Sequence, residues 1–504
     1  PRTPLASFFN SPMEGWREAS RVVVASFSGK EIIAATGGEL LAGSLRTRVR
    51  RICTDSRVAR EGDLFIALQG ETFDGHQFVK DVLGLGVHGV VVAESMSKKA
   101  LSAIKKMPQP RSGAGPFIIG VDDTTRAYQD IAAFHRQRFQ IPVVAITGSN
   151  GKTTTKEMVA STLRERWVVL KTEGNFNNRL GVPHTLLRLT KRHQVAVVEM
   201  GVDAEGQTTR LCEIAKPTLG VITNIGPDHL EFFGSLEGSA RAKTELLACL
   251  PSEGTVVLNA DDHFYGFLKR QTRCREMSFG VNVRCHVRAS DRQHQGARTV
   301  FRVHLRGRKQ SYRVALNVHG HHNVANALAA VAVGQVLGMS MQKITIGLAK
   351  FRPVAMRSQI KSIEGLMILE DCYNANPASM NAAVTMLKEL GQGKQTIAVV
   401  GDMLELGKNT RAMHRDVGAY IADHAVSSLI VCGNLGKEIA WGAKNRGMVA
   451  SSIFQAATPK EATGFLQDVA RPGDVVLLKA SRSMQLETVL DGFSMKKNKR
   501  LNSK

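Results

Sequence analysis

Runs of aliphatic residues alternate with helix-like stretches along most of this chain. Two series of runs carry the clearest signal: 143–147, 195–199, 219–223 and 255–258, then 366–370, 396–400, 428–432 and 474–478. Uninterrupted Val, Ile and Leu runs are typical of parallel strands, because helices cover such strands on both faces. The pattern therefore predicts two parallel α/β sheets, one in the middle of the chain and one toward its C-terminal end.

Another α/β segment precedes these two series. Short apolar strands are predicted at 64–67 and 89–92, and helices at 31–35 and 124–138. The first helix runs into Gly37, a residue type that commonly ends helices. The segment is expected to end near residue 138, before the strand at 143–147.

Residues 269–313 interrupt the parallel rhythm. Polar and apolar positions alternate in two short stretches, 284–288 and 300–305. Such alternation predicts strands with one exposed face. We therefore expect an antiparallel insertion in the middle sheet, followed by a helix over 321–337.

These patterns divide the chain into five segments. They are a leader or disordered extension at 1–27, three α/β domains at 28–138, 139–351 and 352–494, and a basic tail at 495–504. The length of 504 residues agrees with about three domains.

Charge and cysteine content narrow the class of protein. Lys and Arg total 67 against 44 Asp and Glu, and the formal charge of +23 suits a polyanionic partner such as a nucleotide or a nucleic acid. The seven cysteines form no CxxC pair and no zinc-finger spacing, so reduced thiols are expected. No apolar run reaches the roughly 20 residues that span a bilayer.

The strongest chemical signal is the segment VVAITGSNGKTTT at 143–155. A buried strand runs into Gly148, Gly151, Lys152 and Thr153, and a helix follows. Glycines let backbone N–H groups turn toward phosphates, and the helix N-terminus favours negative charge. The lysine can neutralise β- and γ-phosphate charge, and the threonine can offer its hydroxyl to Mg²⁺. The spacing departs from GxxxxGK[ST], since an isoleucine stands where the first glycine would be.

Polar residues that follow neighbouring strands predict ligands at one sheet edge. Glu199 ends the strand at 195–199, and His229 follows the strand at 219–223. Ligands of open α/β sheets gather at the carboxyl ends of the strands, and carboxylates suit Mg²⁺. A water-facing glutamate and a structural histidine are the plain alternatives.

Taken together, an ordered set of motifs resembles the Mur ligase family. The motifs are GSNGKTTT at 148–155, NFNNRLGVP at 175–183, EMG at 199–201, GPDHLE at 226–231, GSARAK at 238–243, HHNVAN at 321–326 and DCYNANPASM at 371–380. Further motifs resemble the branch of the family that adds D-alanyl-D-alanine: TDSR at 54–57, FDGH at 73–76, YNANP at 373–377 and GDMLELG at 401–407. The resemblance covers about residues 30 to 490.

The resemblance implies an ATP-dependent peptide ligase with an N-terminal domain for the UDP of a UDP-N-acetylmuramoyl-tripeptide, a central P-loop domain for ATP, and a C-terminal Rossmann-like domain for D-alanyl-D-alanine. The implied reaction joins the two peptides through an acyl phosphate in peptidoglycan precursor synthesis. Two Mg²⁺ ions are expected to assist. A monomer in the bacterial cytoplasm is expected, with the plastid stroma as an alternative.

The resemblance also assigns roles to individual residues. Those expected to act in catalysis are Lys152, Glu199, His229, Lys243 and Arg357. Those expected to bind ATP are Gly148, Ser149, Asn150, Gly151, Lys152, Thr153, Thr154, Asn323, Asn326, Arg357 and Asp371. The substrates are expected to meet Ser56, Arg57, Asn175, Asn178, Tyr373, Asn374 and Asn376. The expected Mg²⁺ ligands are Thr153, Glu199, His229 and, if it is carbamylated, Lys243.

Two positions depart from the family pattern, and two other functions stay open. Met356 and Ala480 stand where relatives usually have glycine. If that second glycine adopts a positive φ in relatives, Ala480 would be strained; both positions bear on turnover and dipeptide fit rather than on reaction type. The basic stretch 269–313 would also suit a scaffold that binds nucleic acid. A different Mur ligase or a folylpolyglutamate synthase would keep the chemistry and change the substrate.

Overall fold

The protein is described by a computed structural model, in which residues 22–70, 73–96, 115–295, 298–491 and 493 are placed. The chain forms two compact units. The first takes in the described residues of Pro1–Val143, Val168–Met200 and Thr209–Pro217, and the second those of Val144–Trp167, Gly201–Thr208 and Thr218–Lys504.

The strands of the described residues are numbered here in chain order. They are β1 (Val22–Ser28), β2 (Glu39–Ala42), β3 (Arg48–Cys53), β4 (Asp63–Ile66), β5 (Gly89–Ala93), β6 (Phe117–Val121), β7 (Val143–Thr147), β8 (Val169–Lys171), β9 (Val195–Glu199), β10 (Leu219–Ile222), β11 (Thr255–Asn259), β12 (Arg275–Gly280), β13 (Val287–Gln295), β14 (Arg298–Leu305), β15 (Ser311–Leu316), β16 (Gln359–Ile363), β17 (Leu366–Glu370), β18 (Thr396–Gly401), β19 (Ser428–Cys432), β20 (Ile453–Ala456) and β21 (Val475–Lys479).

The α-helices of the described residues are numbered in the same way. They are α1 (Gly29–Thr36), α2 (Val79–Gly84), α3 (Thr124–Arg136), α4 (Lys152–Leu163), α5 (Gly181–Leu187), α6 (Gln207–Ala215), α7 (Leu230–Phe233), α8 (Leu236–Cys249), α9 (Tyr265–Gln271), α10 (His321–Val336), α11 (Met341–Lys350), α12 (Pro377–Leu390), α13 (Thr410–Asp423), α14 (Gly436–Asn445) and α15 (Pro459–Val469).

The first unit contains a six-stranded sheet of order β1-β3-β4-β5-β6-β2. Its four inner strands are parallel, and β1 and β2 close the two edges in antiparallel pairing. Local signals define the first helix, because Ser28 and Glu31 form a capping box at its start and Gly37 ends it in the left-handed conformation. The same unit carries β8 and β9, which pair in parallel.

The second unit contains two sheets. In the first of them the order runs β15-β14-β13-β12-β11-β10-β7. In this order β13, β12, β11, β10 and β7 are each parallel to the next, whereas β13, β14 and β15 form an antiparallel meander. The other sheet has the order β16-β17-β21-β18-β19-β20 and is parallel except at β16. Aliphatic side chains on its two faces form two separate cores, since helices cover both faces.

The predicted strands of both parallel series are confirmed to within a residue or two at their ends. The antiparallel insertion is confirmed for β13, β14 and β15, but β12, which also lies within 269–313, continues the parallel sheet. The strand predicted at 284–288 is wrong: β13 begins at Val287, and the residues before it form the connection from β12. Alternation over only five residues is compatible with a turn as well as with a strand, so this short stretch did not suffice to predict one.

The ends of the chain differ from the prediction in one respect. The extension predicted at 1–27 overlaps β1, which pairs with β3 from Val22 onward, so ordered structure begins before the boundary drawn at 28. Residues 1–21 and the tail at 495–504 lie outside the described residues. Each of the seven cysteines lies within the described residues and forms no disulfide there. Among the residues that are described, no helix is both long and apolar enough to cross a membrane.

Candidate functional site

The phosphate loop joins β7 to α4 in the second unit. Gly148 and Gly151 both adopt positive φ, +136° and +79°. A Cβ atom at Gly148 would lie 2.0 Å from the Thr223 Oγ1 atom, and one at Gly151 would lie 2.4 Å from the Asn326 Oδ1 atom. Both positions therefore exclude any side chain, for reasons of backbone conformation and of space.

The segment after β10 supports this loop. Because β7 and β10 are parallel neighbours with Thr147 opposite Ile222, the residues that follow the two strands meet. The Ser149 amide donates to the Asn224 carbonyl at 2.9 Å, and the Asn150 amide donates to the Asn224 Oδ1 atom at 2.9 Å. The Thr223 hydroxyl donates to the Asn150 carbonyl at 2.6 Å. These bonds fix the curvature of the loop.

Lys152 is the first residue of α4 and folds back over the loop. Its Nζ atom donates to the carbonyl oxygens of Gly148 at 2.5 Å and Ser149 at 3.2 Å. Thr153 is buried in the first turn, and Thr154 is half-buried beside it. The ammonium group and the positive end of the helix dipole thus lie on the same loop, an arrangement that suits a polyphosphate.

A buried ion pair lies directly beside the loop. The Asp228 Oδ1 atom accepts hydrogen bonds from the hydroxyls of Ser149 at 2.6 Å and Ser239 at 2.9 Å, and from Lys243 Nζ at 3.2 Å. Lys243 also donates to Ser239 Oγ at 2.7 Å and lies 5.0 Å from the centroid of the Phe233 ring. The side chains of Asp228 and Lys243 are 7% and 1% exposed.

Burial and charge act in opposite directions on the two members of the pair. Burial lowers the pKa of Lys243 to about 8, although Asp228 acts against that change. For Asp228 burial raises the pKa, but the charges of Lys243 and Lys152 and the Ser149 hydrogen bond outweigh it, so the pKa lies below its ordinary value. The Asp228 carboxylate is therefore anionic at neutral pH, and a larger fraction of Lys243 is the neutral amine than is usual for a lysine.

His229 connects this cluster to a distant motif. It follows Asp228 in the left-handed conformation, with φ of 49°, and its Nδ1 atom lies 2.5 Å from the Glu405 Oε2 atom. Glu405 also has a positive φ, and its carbonyl accepts from the amide of Glu231 at 3.1 Å. Two strained backbones thus hold the imidazole against the carboxylate, and such strain is typical of functional sites.

The start of α10 packs against the other side of the phosphate loop. Asn326 Oδ1 accepts from the Thr155 hydroxyl at 3.1 Å, and Asn326 Nδ2 donates to Asn323 Oδ1 at 3.2 Å. Asn323 Nδ2 in turn donates to the His319 carbonyl at 2.8 Å. Both asparagines are buried, and their polar atoms connect the loop to the helix.

The segment after β17 brings together several of the predicted C-terminal residues. Lys479 Nζ donates to Asp371 Oδ2 at 2.6 Å and to the Asn374 carbonyl at 2.9 Å. The Arg357 guanidinium stacks 4.1 Å from the centroid of the Tyr373 ring. Asn376 caps α12 and donates through Nδ2 to the Asn150 Oδ1 atom at 2.9 Å. That last bond joins the YNANP motif directly to the phosphate loop.

The two departures from the family pattern differ in their backbones. Met356 has a φ of 58°, so a methionine occupies a left-handed position that glycine would adopt at lower cost. Its thioether lies 3.7 Å from Arg482 Nη1. Ala480 is not among the described positions with positive φ and is fully buried. The strain considered for Ala480 is therefore absent, and a positive φ that the sequence did not predict occurs at Met356.

The first unit holds Glu199 and the asparagine motif. Glu199 is buried at the end of β9, where its Oε1 atom accepts from Asn177 Nδ2 at 2.9 Å. Asn178 Oδ1 instead accepts the amides of Leu180 and Gly181, both at 3.0 Å, at the start of α5. Asn175 offers its carbonyl to the Asn177 amide at 2.7 Å. The asparagine that contacts Glu199 is therefore one that the sequence reasoning did not single out.

The TDSR motif also lies in the first unit. Arg57 makes a two-pronged ion pair with Asp55, Nε to Oδ1 at 2.9 Å and Nη2 to Oδ2 at 2.7 Å. The hydrogen bond to Asp55 raises the pKa of Arg57. Ser56 begins the short 3₁₀ turn that Asp55 caps. The guanidinium is two-thirds exposed, so it can meet an anionic ligand while Asp55 holds its orientation.

Sequence reasoning missed four polar residues that complete the site: Asp228, Ser239, Glu405 and Lys479. Asp228 directly precedes His229 in the GPDHLE motif. Ser239 lies four residues before Lys243 in the GSARAK motif, and a spacing of four puts two side chains on the same face of a helix. That spacing could have identified Ser239. The partners Glu405 and Lys479 stand far away in the sequence, and no local pattern pairs them with His229 and Asp371.

Comparisons with known proteins agree with this geometry. Three family models match the chain: "Mur ligase family, catalytic domain" at 48–136, "Mur ligase middle domain" at 146–334, and "Mur ligase, glutamate ligase domain" at 356–482. The UDP-N-acetylmuramoyl-tripeptide--D-alanyl-D-alanine ligase of Bacillus subtilis is 35% identical over 447 residues, which cover 88% of this chain and 93% of the relative.

Two solved structures show the same architecture. A crystal structure of MurF from Acinetobacter baumannii is 32% identical with a TM-score of 0.83, covering 93% of this chain and 99% of that one. The MurF ligase of Thermotoga maritima, solved in complex with ADP, is 27% identical with a TM-score of 0.76, covering 88% and 96%. The predicted α/β fold with three Mur ligase domains is thereby confirmed. The chain belongs to the Mur ligase family.

Proposed function

We propose that this chain is an ATP-dependent ligase that adds D-alanyl-D-alanine to UDP-N-acetylmuramoyl-tripeptide during peptidoglycan precursor synthesis in the bacterial cytoplasm. The observation that carries the proposal is the phosphate loop with Lys152 folded over it and the buried Asp228–Lys243 pair bonded to its Ser149. The relatives with this activity match the chain over most of its length.

The reaction requires two anions to meet. The tripeptide carboxylate attacks the γ-phosphorus of ATP, an O–P bond forms, and the bond to ADP breaks. The amine of D-alanyl-D-alanine then attacks the acyl carbon of this acyl phosphate, loses a proton, and expels inorganic phosphate. Lys152 and the N-terminus of α4 would stabilise the negative charge of the transferring group, because preorganised cations are most effective where water is excluded.

The donor set suits Mg²⁺, which prefers oxygen ligands. Thr153 and Glu199 offer oxygens, and both are buried. Asp228, a carboxylate whose pKa is lowered, lies between the loop and His229. Thr153 and His229, which both belong to the second unit, would hold the metal. Glu199 belongs to the first unit, and its role as a ligand stays a prediction. Bound Mg²⁺ would offset the charge of the phosphates.

Carbamylation of Lys243 would reverse the charge balance of the buried pair. In this reaction a neutral amine adds CO₂ and releases a proton, and burial favours the neutral form of Lys243. The product is an anion beside the Asp228 carboxylate, so two like charges would lie where an ion pair now lies. Only added cations could offset that repulsion, and we therefore expect carbamylation and Mg²⁺ binding to favour each other.

The remaining predicted residues keep their proposed roles. Asn323, Asn326 and Asp371 would contact the nucleoside, and Arg357 would move from the Tyr373 ring onto the phosphates. Asn374 and Asn376 would shape the nucleotide and dipeptide side, while Ser56, Arg57, Asn175 and Asn178 would meet the UDP precursor. The larger part of this set already lies around the phosphate loop or the segment after β17.

Lys152→Ala tests the proposal in a coupled phosphate-release assay with ATP, Mg²⁺, UDP-tripeptide and D-alanyl-D-alanine. The variant should lower kcat/KM by about a thousandfold, since removing one preorganised donor costs about 10²–10³ in rate. Lys350→Ala, on an exposed lysine paired with Glu165, is the matched control and should retain activity. Full activity in Lys152→Ala would refute the mechanism.

Substrate omission tests the acceptor separately. Phosphate release should require both peptides, and single D-alanine should not replace the dipeptide. Parallel reactions with diaminopimelate- and lysine-containing tripeptides identify the third residue. Release with L-glutamate and a folate, and none with D-alanyl-D-alanine, would instead assign a folylpolyglutamate-type ligase.

A further inference from the structure

A cluster of histidines surrounds one carboxylate away from the phosphate loop. His294 of β13, His319, and His321 at the start of α10 all face Glu389 near the end of α12. The Glu389 Oε2 atom lies 3.1 Å from His319 Nε2 and 3.5 Å from His294 Nε2, and the Oε1 atom lies 3.2 Å from His321 Nε2. Ligand atoms of His294, His321 and Glu389 all lie within 4.8 Å of one another.

The protonation state of His294 follows from its neighbours. Thr299 Oγ1 donates its own hydrogen to the Val318 carbonyl at 2.8 Å, so at its 3.2 Å contact with His294 Nδ1 the hydroxyl oxygen must accept. The proton of a neutral His294 ring is therefore on Nδ1, and Nε2 carries a lone pair. That Nε2 atom is buried and has no hydrogen-bond partner among the described residues.

Other forces keep this ring neutral and the carboxylate charged. Burial, followed by the neighbouring His319, lowers the pKa of His294 to about 4. Burial acts to raise the pKa of Glu389, but the hydrogen bond from His319 brings it below its ordinary value. The His294 ring also stacks on His319, with centroids 3.9 Å apart. A neutral imidazole and an anionic carboxylate are the forms that bind metal.

We propose that His294, His321 and Glu389 bind a divalent transition-metal ion of the Zn²⁺ type. Two imidazole nitrogens and a carboxylate oxygen suit Zn²⁺, Co²⁺ or Ni²⁺ far better than Mg²⁺. Thr299 supplies the outer hydrogen bond that orients the His294 ring, and His319 supplies the one that orients Glu389. A buried lone pair directed at an anion across 3.5 Å is otherwise a destabilising arrangement, and an ion between the two atoms resolves it.

The ion would join elements that serve the phosphate loop. His321 begins α10, whose Asn326 contacts the loop residue Thr155. Glu389 lies on α12, whose capping residue Asn376 bonds to Asn150. A metal here would therefore fix the far end of α12 to the insertion and to α10. This role is independent of the ligase reaction, because it needs neither nucleotide nor peptide.

Titration of the full chain with CoCl₂ in excess Mg²⁺ tests the site, since tetrahedral Co²⁺ gives visible absorption bands. We expect one strongly absorbing Co²⁺ per chain, displaced by Zn²⁺. His294→Ala and Glu389→Gln should each raise the Kd at least about a hundredfold, and Thr299→Val about tenfold as an outer-shell partner. His304→Ala is the matched control: it lies in the same meander, bonded to Ser290, and should leave the Kd unchanged.

Stability supplies a second measurement. Zn²⁺ should raise the Tm of the unmodified chain and of His304→Ala, and should not raise the Tm of His294→Ala. Glu389→Gln keeps the size and shape of the side chain, so a loss of metal binding in this variant reports the lost ligand rather than misfolding. Absence of the absorption bands, or equal Kd values for His294→Ala and His304→Ala, would overturn the assignment.

Discussion

Replacement of Asp228 by asparagine gives the sharpest test of the buried pair beside the phosphate loop. Asn keeps an oxygen that can accept from Ser149, Ser239 and Lys243, so the change removes charge and little else. At the observed 3.2 Å separation, two unit charges attract by about 5 kcal/mol at an effective dielectric constant of about 20. Part of that attraction already offsets the cost of burying both ions.

We expect Asp228→Asn to lower the free energy of unfolding by about 3 kcal/mol, because an ammonium group would stay buried without its counter-ion. Lys243→Met should cost a similar amount. The double variant should cost less than the sum of the two by about 2 kcal/mol, since the pair is then removed together. Asp228→Ala should be worse than Asp228→Asn, because the buried Ser239 hydroxyl would lose its acceptor, whereas Ser149 keeps the Gly226 carbonyl at 3.1 Å.

Urea unfolding of the nucleotide-free protein measures these values. Tryptophan fluorescence is a suitable signal, as Trp167 and Trp441 both belong to the second unit. A double-mutant cycle requires all four proteins under one buffer condition. If Asp228→Asn changes the unfolding free energy by less than about 1 kcal/mol, or if the two single changes simply add, the ion pair does not carry the energy assigned to it.

Three further changes have definite expected outcomes. Gly151→Ala should abolish ADP binding in calorimetry, because its Cβ would lie 2.4 Å from Asn326 Oδ1, whereas Gly393→Ala, at a similar φ with nothing nearby, should bind normally. Asn376→Ala should cost about 1 kcal/mol in urea unfolding through loss of the α12 cap, and Asn376→Ser should recover most of it. Burial lowers the pKa of His184 to about 4 from an unfolded value of 6.5, so the unfolded chain binds more protons than the folded chain between those two pH values. Stability therefore falls as pH falls through that window, by about 2 kcal/mol from pH 7 to pH 5. A His184→Leu variant that retains the full loss of stability would contradict this.

Much of the fold was predictable because its signals are local. Strands β7, β10 and β18 are continuous apolar runs, and the first helix carries its own capping box and terminal glycine. The phosphate loop was equally visible, since glycine, lysine and threonine must follow a buried strand in that order. The strand expected at 284–288 failed because a short alternating stretch is compatible with a turn.

The sequence by itself determined the strands, the helices and the chemistry at the loop, because hydrophobic period and residue type act over a few neighbouring positions. Only the tertiary structure decided which charges face each other. Lys243 meets Asp228, His229 meets Glu405, and Asp371 meets Lys479. The last two pairs join residues more than a hundred positions apart, and parallel strand pairing and helix packing bring them together. Local patterns record that such groups exist, whereas their pairing depends on where the whole chain places them.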